Sequence, residues 1–390
     1  MFQVIEENAE VSIAAQPRKV FDLSTAPLFD ITLADNILTF TTHHIIADAI
    51  GMHTLAEDFW TLYGGGEPPR SAQAHEITLW ESGKTSDEAY WRNLFANDVP
   101  QLALPRDFDR PARLAVLETE SIFFDNNEII RLREYAVARG CTLFQLFLAA
   151  FALLLSKLSG GGSVVIGVPI AGRGHPDTER TVGMLVRTLP IRLDVSDMNL
   201  DSAVIHTCER FNGLFANQDM SLERLMEITK YRRTAGRSPF YDVMINSIPL
   251  IRTLPDTCGL RPEILRKDYS AALFDLVLDV REEKDGIFAE FNHATELFLP
   301  EKIQKWVQMF KNILTTPQDA LIDVWKSVLE TDGDDFFAEG GTSLAAIRME
   351  SALFEKGWLL SAADILQNPK RCDMAALILP ADKIDWEDDA

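Results

Sequence analysis

Two adjacent imidazoles followed by a carboxylate, His43, His44 and Asp48 in His43-His44-Ile45-Ile46-Ala47-Asp48-Ala49-Ile50-Gly51, are the residues best suited to chemistry in this chain. An imidazole with an ordinary pKa near 6.5 can accept a proton at neutral pH, or hydrogen-bond an amine or an oxyanion. The preceding run Asn36 to Thr42 is β-branched and aromatic and alternates as a strand does, and a helical pattern follows from Met52 to Trp60. The pair therefore stands where a strand gives way to a turn, a place from which rigid scaffolds present reactive groups. Strand side chains alternate, so one histidine faces inward and one outward, and a single one reacts. Packed polar groups are the simplest alternative for the pair alone. A zinc site built from His43, His44, Asp48 and His53 is disfavoured, because the spacing matches no common metal pattern.

A second candidate is Ser343 in Asp334-Asp335-Phe336-Phe337-Ala338-Glu339-Gly340-Gly341-Thr342-Ser343-Leu344. A serine after two glycines is most simply a helix N-cap. The same position also suits an attached phosphodiester, since free N–H groups and the helix dipole favour negative charge there.

These residues need elements to hold them. A helix-like stretch from Ser86 to Asn97 leads to a loop at Leu104 to Asp107, a strand near Glu120 to Phe124 and a helix from Asn127 to Arg139. The apolar run from Leu143 continues as a buried helix to Leu158, opened by a Thr142 and Gln145 capping box. Strands are expected at Val164 to Ile170, Val186 to Leu193, Val243 to Ile248, Leu276 to Val280 and Gly286 to Asn292, with a helix from Glu301 to Leu314. After Pro317 the pattern turns purely helical, with helices at Ala320 to Leu329, Leu344 to Lys356, Ala362 to Gln367 and Asp373 to Leu379.

Composition bounds the function. A net charge of −22 over 390 residues argues against nucleic-acid binding, which demands clustered Lys and Arg. From Pro317 onward there are 6 basic and 16 acidic side chains, a shift that marks a separate C-terminal domain. The start lacks a secretory signal, no apolar run is long enough to span a membrane, and Cys141, Cys208, Cys258 and Cys372 read as reduced core thiols, so a cytoplasmic location is expected. Gly64 to Gly66 and Gly160 to Gly162 lack the Lys-Ser/Thr of a phosphate loop and read as turns.

The segment around Ser343 resembles the peptidyl carrier proteins of nonribosomal peptide synthetases, whose DxFFxxGGxSL motif presents a serine for phosphopantetheine; the match continues through Ala346 to Arg348, Asp364 to Leu366 and Pro369. The larger part resembles the condensation domain of the same synthetases. His43 to Gly51 looks like the HHxxxDG motif, and Tyr90-Trp91-Arg92, Leu104-Pro105 and Arg110-Pro111 look like the YW…LPxD…RP stretch. Ile166 to Arg173, Val182 to Pro190, Gln218-Asp219, Arg237 to Phe240 and Phe274 to Leu276 follow in the family's order.

The resemblance implies an α/β fold: a chloramphenicol-acetyltransferase-like pair of lobes with an incomplete N-lobe, plus a C-terminal four-helix carrier bundle. The division is 1–125 for the partial N-terminal lobe, 126–315 for the C-terminal lobe, 317–380 for the carrier and 381–390 for an acidic tail. It further implies an acyltransferase of secondary-metabolite assembly, of the antibiotic or siderophore kind. That enzyme joins a donor acyl thioester on another subunit's carrier to an acceptor amine on the phosphopantetheine of Ser343, as an amide or less readily an ester. His44 is the expected reacting group, with His43 packing or orienting and Asp48 organising the loop through an arginine. The implied partners are a donor carrier protein, an adenylation enzyme acting in trans and a phosphopantetheinyl transferase; no metal is implied. The alternative is a catalytically impaired scaffold or recruitment module with a working carrier.

Departures from the family pattern set further expectations. The opening Met1 to Asn8 resembles the family's second or third strand, so the preceding strand and helices are expected to be missing, together with a Leu-Arg-Thr arginine that would pair with Asp48. Ala49 replaces the motif glycine, which matters where φ is positive. Arg187 stands where asparagine is usual and adds a charge near the tunnel between the lobes.

Overall fold

The computed structural model describes residues 21–34, 37–82, 87–96, 99–234, 236–250, 254–262, 264, 272–315 and 317–380. The expectations placed on the opening residues and on the acidic tail lie outside the described residues.

The first part of the chain forms the antiparallel pair β1 (Phe29–Ala34) and β2 (Ile37–Thr42), then α1 (Ala49–Tyr63), α2 (Ala74–Ser82) and α3 (Glu88–Leu94). The register sets Phe29 opposite Thr42, so β2 ends beside the start of β1 and delivers His43 directly into a turn.

A six-stranded sheet organises the middle of the chain. Its elements are β3 (Leu117–Asp125), α4 (Asn126–Val137), α5 (Leu143–Leu158), β4 (Ser163–Ile170), β5 (Arg187–Asp194), α6 (Leu200–Ala216), α7 (Leu222–Thr229), β6 (Val243–Ile248), β7 (Leu276–Glu283), β8 (Gly286–Ala294) and α8 (Pro300–Leu314). The strand order is β3-β8-β7-β6-β4-β5, with β6 parallel to both β4 and β7 and the other pairs antiparallel. β3 pairs along its whole length with β8, so it belongs to this sheet and not, as the division at residue 125 had it, to the first lobe.

α5 is the spine of this layer. Its run of Leu, Phe and Ala is buried almost all round, from Gln145 to Ala152 without a break, because α6 and α8 cover the faces that the sheet leaves open. Each fully buried Leu or Phe contributes about 1.5–3 kcal/mol of transfer free energy. The Thr142 and Gln145 capping box forms as the sequence predicts, satisfying two of the helix's free N–H groups.

The last part comprises α9 (Pro317–Leu329), α10 (Ser343–Glu355), β9 (Trp358–Leu359), α11 (Ala362–Gln367), α12 (Arg371–Leu377) and β10 (Leu379–Pro380). The four helices close on their own core, including Leu321, Trp325, Phe336, Met349, Leu353 and Ile365, separate from the core of the sheet. The pattern is not purely helical: Leu359 pairs with Leu379 and Trp358 with Pro380, and this short antiparallel pair brings the end of the unit beside α10. The cysteines correct a further expectation, since Cys141 and Cys208 are buried but Cys258 and Cys372 are exposed.

Candidate active site

β2 hands the chain to a tight turn. The His43 amide donates to the Leu28 carbonyl at 2.9 Å, and Ile46 closes the turn by donating to the His43 carbonyl at 3.1 Å. The two imidazoles then take opposite roles. His43 is half-buried, edge-on to Phe21, and its Nδ1 accepts from the Ile45 amide at 3.2 Å, so its proton resides on Nε2. His44 is exposed, and its Nδ1 lies 3.0 Å from the Ala47 carbonyl, a group that can only accept. The His44 proton therefore sits on Nδ1, and the Nε2 lone pair is left for another partner.

Asp48 follows as the N-cap of α1 and is 3% exposed. Its Oδ1 accepts from the Gly51 amide at 2.8 Å and from Arg173 Nη2 at 2.7 Å; its Oδ2 accepts from the amides of Leu185 at 3.0 Å and Val186 at 3.2 Å. Its own amide donates to the Gly183 carbonyl at 3.1 Å. A carboxylate so saturated and buried ties the loop together. The expectation that Asp48 would lack an arginine is thereby corrected: the partner is Arg173, from the loop after β4.

The loop between β4 and β5 is built to receive Asp48. Gly172 takes φ +67°, and a Cβ there would lie 2.0 Å from the Leu185 carbonyl oxygen, so a side chain would force the two arms of the loop apart. Arg173 Nη1 donates to the carbonyls of Thr178 at 2.6 Å and Thr181 at 2.9 Å, closing the loop on itself. Arg180 reaches Glu57 at 2.6 Å and Asp58 at 2.5 Å on α1, a second bridge to the helix that Asp48 caps. Ala49 is the first residue of α1 and is not among the residues of positive φ, so its replacing the motif glycine costs no backbone strain. Arg187 does not stand as a bare charge, because Glu81 of α2 at 2.5 Å and Asp219 at 3.3 Å neutralise it.

Ser343 is the first residue of α10 and is exposed. The cap is held by Thr342, whose side chain accepts from the Ala345 amide at 3.2 Å, so the reading of Ser343 as the capping residue is corrected and its hydroxyl makes no hydrogen bond among the described residues. Gly341 lies against Phe336, where a Cβ would come within 2.4 Å of the Phe336 carbonyl oxygen and 2.5 Å of its ring. This close approach carries the chain from the buried Phe336 to the exposed helix start. Phe337, Leu344 and Ile347 are exposed around the serine.

Three further motif stretches meet elsewhere. Asp275, after the Phe274 position, is buried and paired with Arg110 and, at 3.2 Å, with Arg106; Asp242 pairs with Arg237 and lies 3.6 Å from Arg110. Burial, and next the neighbouring Asp275, push the Asp242 carboxyl above its ordinary range. The cluster ties the loop before β3 to the starts of β6 and β7, next to a cleft of about 350 Å³ lined by Phe95, Tyr231, Arg237, Phe240 and Asp242, which does not include the histidines. Sequence reasoning quoted Arg110, Arg237 and Asp275 as motif residues but passed over Asp242, and gave Arg173 no role. An arginine between Gly172 and Gly174, just past an apolar strand, was the available signal for Arg173.

Among the described residues no group of His, Cys, Asp and Glu could hold a metal ion, and no helix is long and apolar enough to cross a membrane. Neither His53 nor any carboxylate joins His43 and His44 in such a group.

Against this geometry, comparison with known proteins is decisive. The family model for the condensation domain matches residues 3–320. This chain belongs to the condensation-domain family.

Condensation-domain relatives include surfactin synthase subunit 1 of Bacillus subtilis (strain 168), 31% identical over 335 residues, and tyrocidine synthase 3 of Brevibacillus parabrevis, 31% identical over 337 residues. Those matches cover 83% and 81% of this chain but only 9% and 5% of the relatives, so the chain corresponds to a small part of each. Among solved structures, the X-domain from teicoplanin biosynthesis has the same fold, with a TM-score of 0.66 at 24% identity over 76% of this chain and 73% of that one. A four-domain nonribosomal peptide synthetase bound to AMP and glycine matches with a TM-score of 0.63 at 21% identity, over 75% of this chain and 25% of the other. In this condensation domain, Asp48 and Arg173 thus form a structural staple beneath the histidine turn.

Proposed function

We propose that the chain is a nonribosomal peptide synthetase condensation and carrier didomain. It joins a donor acyl thioester, presented by another carrier, to an acceptor amine on a phosphopantetheine arm at Ser343. The observation that carries this reading is the exposed His44 side chain, whose Nδ1 is committed to the Ala47 carbonyl.

The chemistry fits that tautomer. An α-amino group with a reference pKa of about 7.7–8.0 loses a proton as it attacks the thioester. The C–N bond forms, the C–S bond breaks and the electron pair leaves on sulfur. His44 Nε2 can take the proton from the amine and return it to the thiolate, while His43 and Asp48 hold the turn. Tethering both substrates supplies effective concentration without further contacts. Ser343, exposed and released from capping by Thr342, is the attachment point for the arm, with the α10 N-terminus favouring its phosphate. Loading of that arm falls to a phosphopantetheinyl transferase and a separate adenylation enzyme.

A reconstitution tests this. The protein is converted to its arm-bearing form, loaded with an amino acid, mixed with an acyl-loaded donor carrier and followed by intact mass. A mass gain equal to the acyl group on the wild type, absent from His44→Ala, is the expected result; equal gain in both removes His44 from the reaction.

A second reading is a recruiting scaffold with a working carrier, favoured by the likeness to an X-domain that has been solved in a complex with OxyB. A folded, arm-bearing wild type that makes no product selects it.

A further inference from the structure

We infer that the cleft beside Phe240 is a binding site for a small aromatic phosphate monoester, separate from the histidine turn.

The cleft holds about 350 Å³, within the range of about 300–1,000 Å³ common to small-molecule sites. It opens between the stretch after α3 and the segment that runs from the end of α7 to β6, and its lining includes neither His43 nor His44. Its charge opposes that of the chain. The protein as a whole carries −22, but the cleft is lined by Lys230, Arg232 and Arg237 against one carboxylate, Asp242. A phosphate monoester carries a charge of about −1.5 to −2 at pH 7, which matches that surplus of cations.

The cations are open to a ligand. The left-handed C-cap at Lys230 turns the chain at the end of α7 and brings Lys230, Tyr231 and Arg232 to the cleft. Lys230 and Arg232 are exposed, and neither side chain joins an ion pair among the described residues. Arg237 is engaged along one edge only. Its Nη1 donates to Asp242 Oδ2, while Nε and Nη2 have no partner among the described residues and are not buried from solvent. Asp242 fixes that arrangement, being 8% exposed with its other oxygen 3.6 Å from Arg110. The guanidinium is thus anchored on one side and offers the other, a planar fork that suits the paired oxygens of a phosphate.

The walls favour a ring. Tyr231 and Phe240 stack at 4.5 Å and 24° between planes, and Phe95 stands 5.1 Å from Phe240. Phe240 is buried but Tyr231 is only partly so, which leaves ring area on which a planar group can extend the stack. Phe240 itself holds φ +69°, a left-handed conformation that a bulky side chain rarely adopts. Such outliers persist where their surroundings hold them, and they cluster at ligand clamps. A ring joined to a phosphate occurs both in aryl phosphates and in nucleoside monophosphates.

Calorimetric titration of the full chain with phenyl phosphate and with uridine monophosphate distinguishes those two sources. Inorganic phosphate and benzyl alcohol probe each half of the ligand alone. The expected result is saturable binding of at least one ester, tighter than either half, with the tighter ester naming the source. Lys230→Gln combined with Arg232→Gln should weaken that binding by about tenfold or more, the worth of a charge-assisted hydrogen bond. Both side chains are exposed, so the variant should keep the wild-type urea unfolding curve, and Arg232→Glu alone should weaken binding in the same direction. No binding of either ester to the folded wild type overturns the site, as does equal affinity for inorganic phosphate or benzyl alcohol, or unchanged affinity in the variants. These readouts need no acyl transfer, so their failure leaves the condensation reading standing.

Discussion

Asp48 Oδ1 lies 2.7 Å from Arg173 Nη2, and both side chains are more than nine-tenths buried. Each residue is separately tied to its own loop, Asp48 through Gly51 and Arg173 through Thr178 and Thr181, so the pair joins two otherwise distant parts of the chain. Removing one partner of a buried, hydrogen-bonded ion pair leaves the other charge without compensation, which costs about 3–5 kcal/mol. Arg173→Ala is therefore expected to lower the unfolding free energy measured in urea by that amount, with a matching loss for Asp48→Ala. The double variant should cost much less than the sum, because each single change already breaks the pair. Additive losses would mean the pair is not the staple described.

For His44, the expected loss in His44→Ala is about 10²–10⁴-fold in acyl transfer, the usual worth of a positioned acid or base. Its exposure means that the unfolding free energy should change by less than about 0.5 kcal/mol, as for most surface changes. His43→Ala should behave differently, since His43 is half-buried against Phe21 and accepts a turn amide; stability and activity should fall together. Single-turnover transfer and unfolding curves on the same preparations separate the two.

On the proposed carrier reading of the C-terminal helices, Ser343→Ala should abolish the mass gain that accompanies phosphopantetheine attachment while leaving the unfolding of the four helices unchanged. Gly341→Ala should do the reverse in stability. Its Cβ would overlap the Phe336 carbonyl and ring, and overpacking of this kind costs about 1–3 kcal/mol. Intact mass and thermal unfolding of both variants check the pair of outcomes.

His293 supplies a pH dependence. It is fully buried on β8 and burial pushes its imidazole below the ordinary value, so the folded state holds it neutral where the unfolded chain begins to bind a proton near pH 6.5. Stability is then present above that pH and is lost as pH falls toward the depressed folded value, by at most about 1.4 kcal/mol per pH unit from this one group. His293→Phe should flatten that part of the profile between pH 7 and pH 5; an unchanged slope would show that other groups dominate acid unfolding.

Much of the architecture was legible from local pattern. The capped apolar helix α5 came out with its true limits, because a run of Leu, Phe and Ala after Thr142 leaves no competing conformation. β6 and α11 were bounded to the residue for similar reasons. α2, α6 and α7 were not anticipated, nor was β1. Helices such as α6 mix Ser, Thr, Cys and Asn with apolar residues, and their preference is decided by packing on α5 and not by composition. The missed pairing of β9 with β10 joins residues about twenty apart through two residues each, too short to leave a period in the sequence.

The chain order by itself singled out the candidate residues: His43, His44 and Asp48 at the end of a strand, and Ser343 at the start of a helix, are local features written in consecutive residues. Only the tertiary structure decided how they are held. It chose the tautomers by setting Ala47 beside one imidazole and the Ile45 amide beside the other, and it supplied Arg173 to Asp48 across 125 residues of chain. It also passed the helix cap from Ser343 to Thr342. Hydrogen-bond partners and strand order depend on segments far apart in sequence, and no local pattern encodes them.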